Sequence, residues 1–170
     1  MRLEQPAWTR ALPTGLVVAV ATLGPLGRRL PAPGTWGSLA GLLYFAACFQ
    51  QAGIGAVLVA SAVGGYLAVA FCGEAERRLR QTDPGSVVLD EVVAIPLCVL
   101  GWRSLPPIAS PWLVMLLGFG LFRLFDILKP FGIHRLQSLP GGWGVVADDF
   151  AAALAACATL HVGFWVWRLF

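Results

Sequence analysis

Charge is what this chain has least of. Only 12% of its 170 residues are Asp, Glu, Lys or Arg, where a soluble domain carries about a quarter, and 58% are hydrophobic. Mean hydropathy is +0.75. From Leu30 to Gly73 there is no Asp, Glu, Lys, Arg or His. A run of that kind excludes a solvated surface, and as helix it could cross a ~30 Å hydrocarbon core about twice. Lysine is confined to Lys129, and His134 and His161 are the only histidines. The four cysteines, Cys48, Cys72, Cys98 and Cys157, include no C-x-x-C pair and sit in or at the ends of apolar segments. They imply no disulfide framework and read as small buried hydrophobes. A net charge of +3, scattered rather than gathered on one stripe, sets nucleic-acid binding aside.

What is present is a series of apolar segments at about 37–49, 54–73, 87–102, 109–128 and 149–168. They are separated by Pro33-Gly34, Gln50 to Gly53, Asp83-Pro84-Gly85, Pro106-Pro107, Pro130 and Pro140-Gly141-Gly142. The pattern predicts an all-α polytopic membrane bundle with about four to five apolar helices, some short or partly embedded. Residues 1–170 read as one domain, with 1–30 an interfacial segment. Leu16 to Leu23, with Ala19-Val20-Ala21, superficially matches a cleaved signal peptide, but the apolar stretch before Ala19 is too short for one.

If each segment crosses once, loops 28–36, 74–86 and 129–148 share one face, and loops 50–53 and 103–108 share the other. The first face carries Arg28, Arg29, Arg77, Arg78, Arg80, Lys129 and Arg135, and the second only Arg103 and Arg168. Positive-inside bias makes the first face cytoplasmic. The same threading brings Asp83, Asp90, Glu91, Asp126, Asp148 and Asp149 to that face from three separate stretches.

Convergent carboxylates demand a counter-charge. Two of them about 4 Å apart repel by roughly 4 kcal/mol at an effective dielectric of 20. A divalent cation relieves this, and hard oxygen donors without His or Cys select Mg²⁺, Mn²⁺ or Ca²⁺ over zinc. The plainer reading is helix capping or pairing with arginine, with Asp148 a candidate N-cap. Gly141, Gly142 and Gly144 could turn backbone amides toward a phosphate. Lys129, three residues after Asp126, suits a phosphate contact or a snorkelling role. Arg123, three residues before Asp126, suits an ion pair that positions the carboxylate. Glu74, Glu76 and Asp83 border the 74–86 loop as a solvated charge run, with Glu76 and Asp83 possible outer members of the site.

Other chemistries fit less well. Cys72 and Arg78 have the C-x5-R spacing of thiolate phosphatases, but Glu74 and Glu76 would repel a phosphate and raise the thiol pKa. His134 has no partner for a phosphohistidine route. The D-x-x-D-G-x-x-A-R block of CDP-alcohol phosphotransferases is missing. A cation transporter or a non-catalytic lipid-binding subunit remains as an alternative, since intramembrane carboxylates also mark ion paths.

Four ordered blocks resemble the phosphatidylglycerophosphatase A family: Pro33-Gly34-Thr35-Trp36-Gly37-Ser38-Leu39, Asp83-Pro84-Gly85-Ser86-Val87-Val88-Leu89-Asp90-Glu91-Val92-Val93, Phe122-Arg123-Leu124-Phe125-Asp126-Ile127-Leu128-Lys129-Pro130 and Gly141-Gly142-Trp143-Gly144-Val145-Val146-Ala147-Asp148-Asp149. The resemblance implies a Mg²⁺-dependent phosphatase of the bacterial inner membrane, working at the cytoplasmic face. Its substrate would be phosphatidylglycerophosphate, cleaved to phosphatidylglycerol and phosphate. The positions it implies are Asp90, Glu91, Asp126, Lys129, Asp148 and Asp149 for catalysis, the five acids as metal ligands, and Gly34, Thr35, Gly37 and Ser38 as support for the phosphate. Attack by water and an aspartyl-phosphate on Asp90 or Asp148 both remain open.

Overall fold

The computed structural model describes residues 4–105 and 110–170, and every described element is helical. The Pro106-Pro107 breaker and Arg2 lie outside the described residues. After a 3₁₀ turn at Trp8–Ala11 come α1 (Thr14–Ala21), α2 (Pro25–Arg29), α3 (Pro33–Cys48), α4 (Ile54–Leu79), α5 (Leu89–Cys98), α6 (Pro111–Leu128) and α7 (Gly142–Trp167), with further 3₁₀ turns at Trp102–Ser104 and Pro130–Ser138. Each of the five apolar segments becomes one of α3 to α7.

Three of these helices, α4, α6 and α7, are long and apolar enough to cross a membrane. With 26, 18 and 26 residues they measure about 39, 27 and 39 Å. The other two are shorter than a crossing. α3 has 16 residues and α5 only 10, about 15 Å, so α5 is a half-helix held inside the bundle. It packs against α3, α4 and α7. Eight of its residues are buried, Asp90 among them, in agreement with an element walled by protein on most sides.

Two apolar clusters hold the bundle. One joins Phe45, Ile95, Met115, Phe122, Ala153 and Ala156 across α3, α5, α6 and α7. The other joins Val17, Val69, Cys72, Val93 and Val146 and ties α1 to α4, α5 and α7. Large side chains left exposed, such as Leu43, Val59, Leu116 and Val162, face outward, as lipid-facing residues do. Trp112, Trp165 and Trp167 are exposed at one end of the bundle, and Phe131 is exposed near the other. Trp112 and Phe131 are 19 residues apart in sequence and flank α6, a separation suited to aromatic girdles at the two membrane interfaces.

The 74–86 region differs from the sequence expectation. Helix α4 runs on to Leu79, and Glu74 is buried at 1% exposure instead of solvated. Glu74 Oε1 accepts from Arg77 Nη2 at 2.5 Å and Arg78 Nε at 2.6 Å. Arg78 also donates to the carbonyls of Thr9 and Arg10, clamping the amino-terminal turn onto α4. The cation satisfies the buried acid and the acid orients the cation.

Close approach of α7 to α4 depends on a missing side chain. A Cβ on Gly142 would lie 2.1 Å from the Val69 carbonyl oxygen and 2.8 Å from the Gly73 amide. Gly142→Ala is therefore expected to destabilise the fold by about 1–3 kcal/mol. Gly120→Ala, where a Cβ meets nothing within 4 Å, should instead stabilise α6 by up to about 1 kcal/mol. Thermal unfolding of the two variants in detergent checks the contrast; equal transition temperatures would contradict it.

Candidate active site

The acids meet at the end of the bundle where α5 and α7 begin and α6 stops. Asp90 and Glu91 occupy the first turn of α5, where free amides and the helix dipole favour negative charge. Adjacent helical residues point about 100° apart, so the two carboxylates diverge. Asp90 turns inward, 5% exposed, with Oδ1 accepting from the Glu91 amide at 3.0 Å. Glu91 turns toward α3 and α6. Ser38 Oγ lies 2.8 Å from Glu91 Oε2 and also 2.8 Å from the Gly34 carbonyl, so its single proton can serve either. Gly37 makes room for this contact, since a Cβ there would sit 2.9 Å from Glu91 Oε2.

Arg123 joins the two sides. Its Nη1 donates to Asp126 Oδ2 at 2.8 Å and Glu91 Oε1 at 3.2 Å, and lies 3.3 Å from Ser38 Oγ. Lys129 leaves the helix in the left-handed conformation at φ 43, and this turn carries its ammonium across to α7, where Nζ donates to Asp148 Oδ2 at 2.5 Å. Asp148 Oδ1 accepts from the Asp149 amide at 3.1 Å. Asp149 is 5% exposed, and among the described residues no hydrogen bond or ion pair reaches its carboxylate.

Asp90, Glu91, Arg123, Asp126, Lys129, Asp148 and Asp149 line one cleft of about 420 Å³, together with Gly34, Thr35 and Asp83. Six carboxylates, from Asp83, Asp90, Glu91, Asp126, Asp148 and Asp149, face two cations, Arg123 and Lys129. Burial, opposed only in part by Arg123 and Ser38, pushes Glu91 up to about 7. Burial and then the Glu91 charge push Asp90 well above the usual carboxylate range. Burial works against the charge of Lys129, but the hydrogen bond and charge of Asp148 outweigh it and raise its pKa.

Sequence reading and geometry part at several positions. Gly37 and Ser38 sit behind Glu91, supporting a carboxylate, and do not line the cleft. Gly141 and Gly142 also lie outside it: the Gly142 amide donates to Gln5 Oε1 at 2.9 Å, and the same residue packs on α4. Asp148 is not an N-cap, because α7 starts six residues earlier, at Gly142. The three-way role of Arg123 went beyond the pairing with Asp126 that its i,i+3 spacing suggested. Asp83 lines the cleft, its amide donating to Glu76 Oε1 at 2.6 Å and its Oδ2 accepting from Gln137. The C-x5-R match is excluded as a phosphate loop, since Cys72 is a fully buried helical residue and Arg78 is engaged by Glu74. His161 Nε2 is hydrogen-bonded to the Leu100 carbonyl at 2.9 Å, far along α7 from the acids.

The donor set fits a hard divalent cation such as Mg²⁺. Among the described residues, only carboxylates, a lysine and an arginine contribute charged side chains to the cleft, with no His or Cys. Among the described residues no three acids form a ready-made ligand cluster. Three are turned onto cations, Glu91 and Asp126 onto Arg123 and Asp148 onto Lys129, while Asp90 and Asp149 are buried with no cation paired to them among the described residues. Two such acids carry the demand for positive charge.

The profile of the phosphatidylglycerophosphatase A family matches residues 19–164. A phosphatidylglycerophosphatase A of Haemophilus influenzae is 34% identical over 138 residues, 80% of this chain and 82% of the relative. One of Escherichia coli K12 is 28% identical over 131 residues, 76% of this chain and 72% of the relative. A putative phosphatidylinositol-3-phosphatase of Bacteroides thetaiotaomicron is 34% identical over 84 residues, about half of each chain. No solved structure matches the chain. With helices of membrane length, a cleft of acids at their end and a family match over nearly the whole sequence, the chain belongs to the phosphatidylglycerophosphatase A family and so to the lipid phosphomonoester hydrolases.

Proposed function

We propose that this protein hydrolyses the terminal phosphomonoester of phosphatidylglycerophosphate to phosphatidylglycerol and phosphate, with Mg²⁺, at the cytoplasmic face of a bacterial inner membrane. The observation that carries the reading is the gathering of six carboxylates and two cations in one cleft at the end of membrane-length helices. The cytoplasmic assignment rests on the arginine bias of the loops at that end. The opposite end brings Arg103 onto Gln51, and the groove there is lined by no acid among the described residues, which disfavours a cation path through the bundle.

In this reading Asp90 and Asp149 hold Mg²⁺, and Glu91, Asp126 and Asp148, which line the same cleft, would join the shell only on leaving Arg123 and Lys129. Bound there, the ion would polarise the phosphoryl oxygens and lower the pKa of an attacking water. The chain's own residues do the rest. Arg123 and Lys129 are the two cations on the cleft wall, placed to balance the negative charge of the transferring phosphoryl group. Ser38 and Arg123 fix the orientation of Glu91, and Gly34 and Thr35 form the rim over which the head group enters. The relative named for phosphatidylinositol-3-phosphate covers only half of each chain, so the glycerophosphate head group is preferred.

Purified protein should release phosphate from phosphatidylglycerophosphate with Mg²⁺ and none after chelation. Asp149→Asn should lower kcat by more than about 100-fold. Phosphate release that persists in chelator, or a fully active Asp149→Asn variant, would contradict the assignment.

A pH dependence follows from Glu91. With its carboxyl pushed up to about 7, protons compete with the metal below that pH. The Mg²⁺ concentration giving half-maximal activity should therefore fall by about tenfold in all as pH rises from 6 to 8, most of it below 7, for one titrating group. Glu91→Gln should shallow that slope, and a Mg²⁺ requirement indifferent to pH would count against it.

A further inference from the structure

Hydrocarbon cannot stay in a cleft lined by six carboxylates, so a lipid whose phosphate enters it must leave by one side. We infer that its diacylglycerol leaves between the start of α3 and the end of α6, and that Ile127 is the residue there that favours a lipid-borne phosphate over a soluble one. The inference rests on the lipid-phosphatase reading of the cleft.

Ile127 lines the cleft and is nevertheless 67% exposed, so one side chain belongs both to the acidic site and to the outer surface. Helical geometry says which surface. At about 100° per residue, Asp126, Arg123 and Ile127 follow one another round α6 within a sector of about 100°. Within it Arg123 reaches Ser38 on α3 and Glu91 on α5. Beyond Ile127 come Leu124 and Leu128, about 60° and 100° farther round, and both are exposed. Ile127 therefore stands where the polar sector of α6 gives way to its lipid-facing sector. Depth agrees with direction. The 18 residues of α6 span about 27 Å against a ~30 Å hydrocarbon core, so its last turn lies at the hydrocarbon boundary, with Asp126 about 1.5 Å along the axis from Ile127. A head group at the membrane interface thus meets the acids from the side.

The facing wall changes character in the same way. Gly34 and Thr35 of α3 line the cleft, and Leu39, one turn on from Thr35, is exposed. The other sides are tied by protein. Lys129 bridges the end of α6 to Asp148 on α7, Gln137 bridges the 3₁₀ turn after α6 to Asp83, and the first turn of α5 carries Asp90 and Glu91 at the back. What α3 and α6 themselves contribute to the lining is Pro33, Gly34 and Thr35 against Arg123, Asp126 and Ile127. Of these six, Ile127 is the one large apolar side chain exposed on the lipid side, with Arg123 one turn deeper. A glycerol backbone passing over that edge keeps its phosphate among the charges and its acyl chains in hydrocarbon.

The test assays the purified full-length protein against phosphatidylglycerophosphate in mixed micelles and against its deacylated, water-soluble head group, and reads the ratio of the two kcat/KM values. Ile127→Asn should lower that ratio by about fivefold or more, as loss of a partly buried apolar contact would, while Ile127→Leu keeps the wild-type ratio. Val162→Asn places the same polar group on the outward face of α7, about 20 Å along the helix from Asp149, and should leave the ratio unchanged. An unchanged ratio in Ile127→Asn, an equal fall in Val162→Asn, or an equal loss toward both substrates overturns the proposal. So does loss of self-association by Ile127→Asn with the ratio intact, which would give this face to a second copy of the chain. A wild type that releases phosphate from neither substrate sinks the reading of the cleft, and this route with it.

Discussion

Burying more negative charge than positive at one end of an apolar bundle is the constraint from which the rest of this structure follows. Six carboxylates share a cleft with one arginine and one lysine. Water cannot solvate all of them, because Asp90, Asp148 and Asp149 are each 5% exposed or less. The protein answers with a division of labour. Arg123 ties Glu91 to Asp126, Lys129 ties Asp148, and Asp90 and Asp149 are left for a charge from outside. Unpaired buried carboxylates are costly enough that a fold retains them for a purpose, and in the proposed reading a divalent cation and a phosphate would supply one.

The architecture serves that arrangement. Because α5 is a half-helix, its first turn delivers Asp90 and Glu91 into the bundle instead of to a loop. Because α7 begins at Gly142, its second turn delivers Asp148 and Asp149 opposite them. The left-handed turn at Lys129 then closes the third side. Glycines at the crossings, Gly37 against Glu91 and Gly142 against Val69, let these ends approach more closely than side chains would allow. Below the acids, α6 and α7 continue as apolar walls, so one pair of helices presents polar chemistry at an end and hydrocarbon chemistry along its length.

Much of this was legible in the sequence, and the parts that were not have physical reasons. The all-α bundle and its five apolar helices followed from composition and breakers, because lipid permits few alternatives to helix. The gathering of acids from distant stretches followed from counting crossings, although among the described residues only three helices have the length to cross and α3 and α5 reach the same end by other means. Hydropathy could not distinguish α5 from a span, since burial in protein and burial in lipid demand the same residues. Gly141 and Gly142 looked like a phosphate turn, but Gly142 sits at the crossing of α7 with α4 and Gly141 packs on Gln5. Glu74 looked solvated and is buried, because its partners Arg77 and Arg78 stand at helical spacing that a loop reading concealed. Arg123 could be paired with Asp126 by spacing, but its hold on Glu91 and Ser38 depends on tertiary packing that no local pattern encodes.

The central claim is that remote carboxylates share one divalent cation beside the lipid head group. Anomalous X-ray scattering from crystals of the protein grown with Mn²⁺ in place of Mg²⁺ tests it most directly. The account predicts a peak inside the cleft, within coordinating distance of the carboxylates of Asp90 and Asp149. A peak elsewhere, or Asp90 and Asp149 found at separate ends of the molecule, would contradict it.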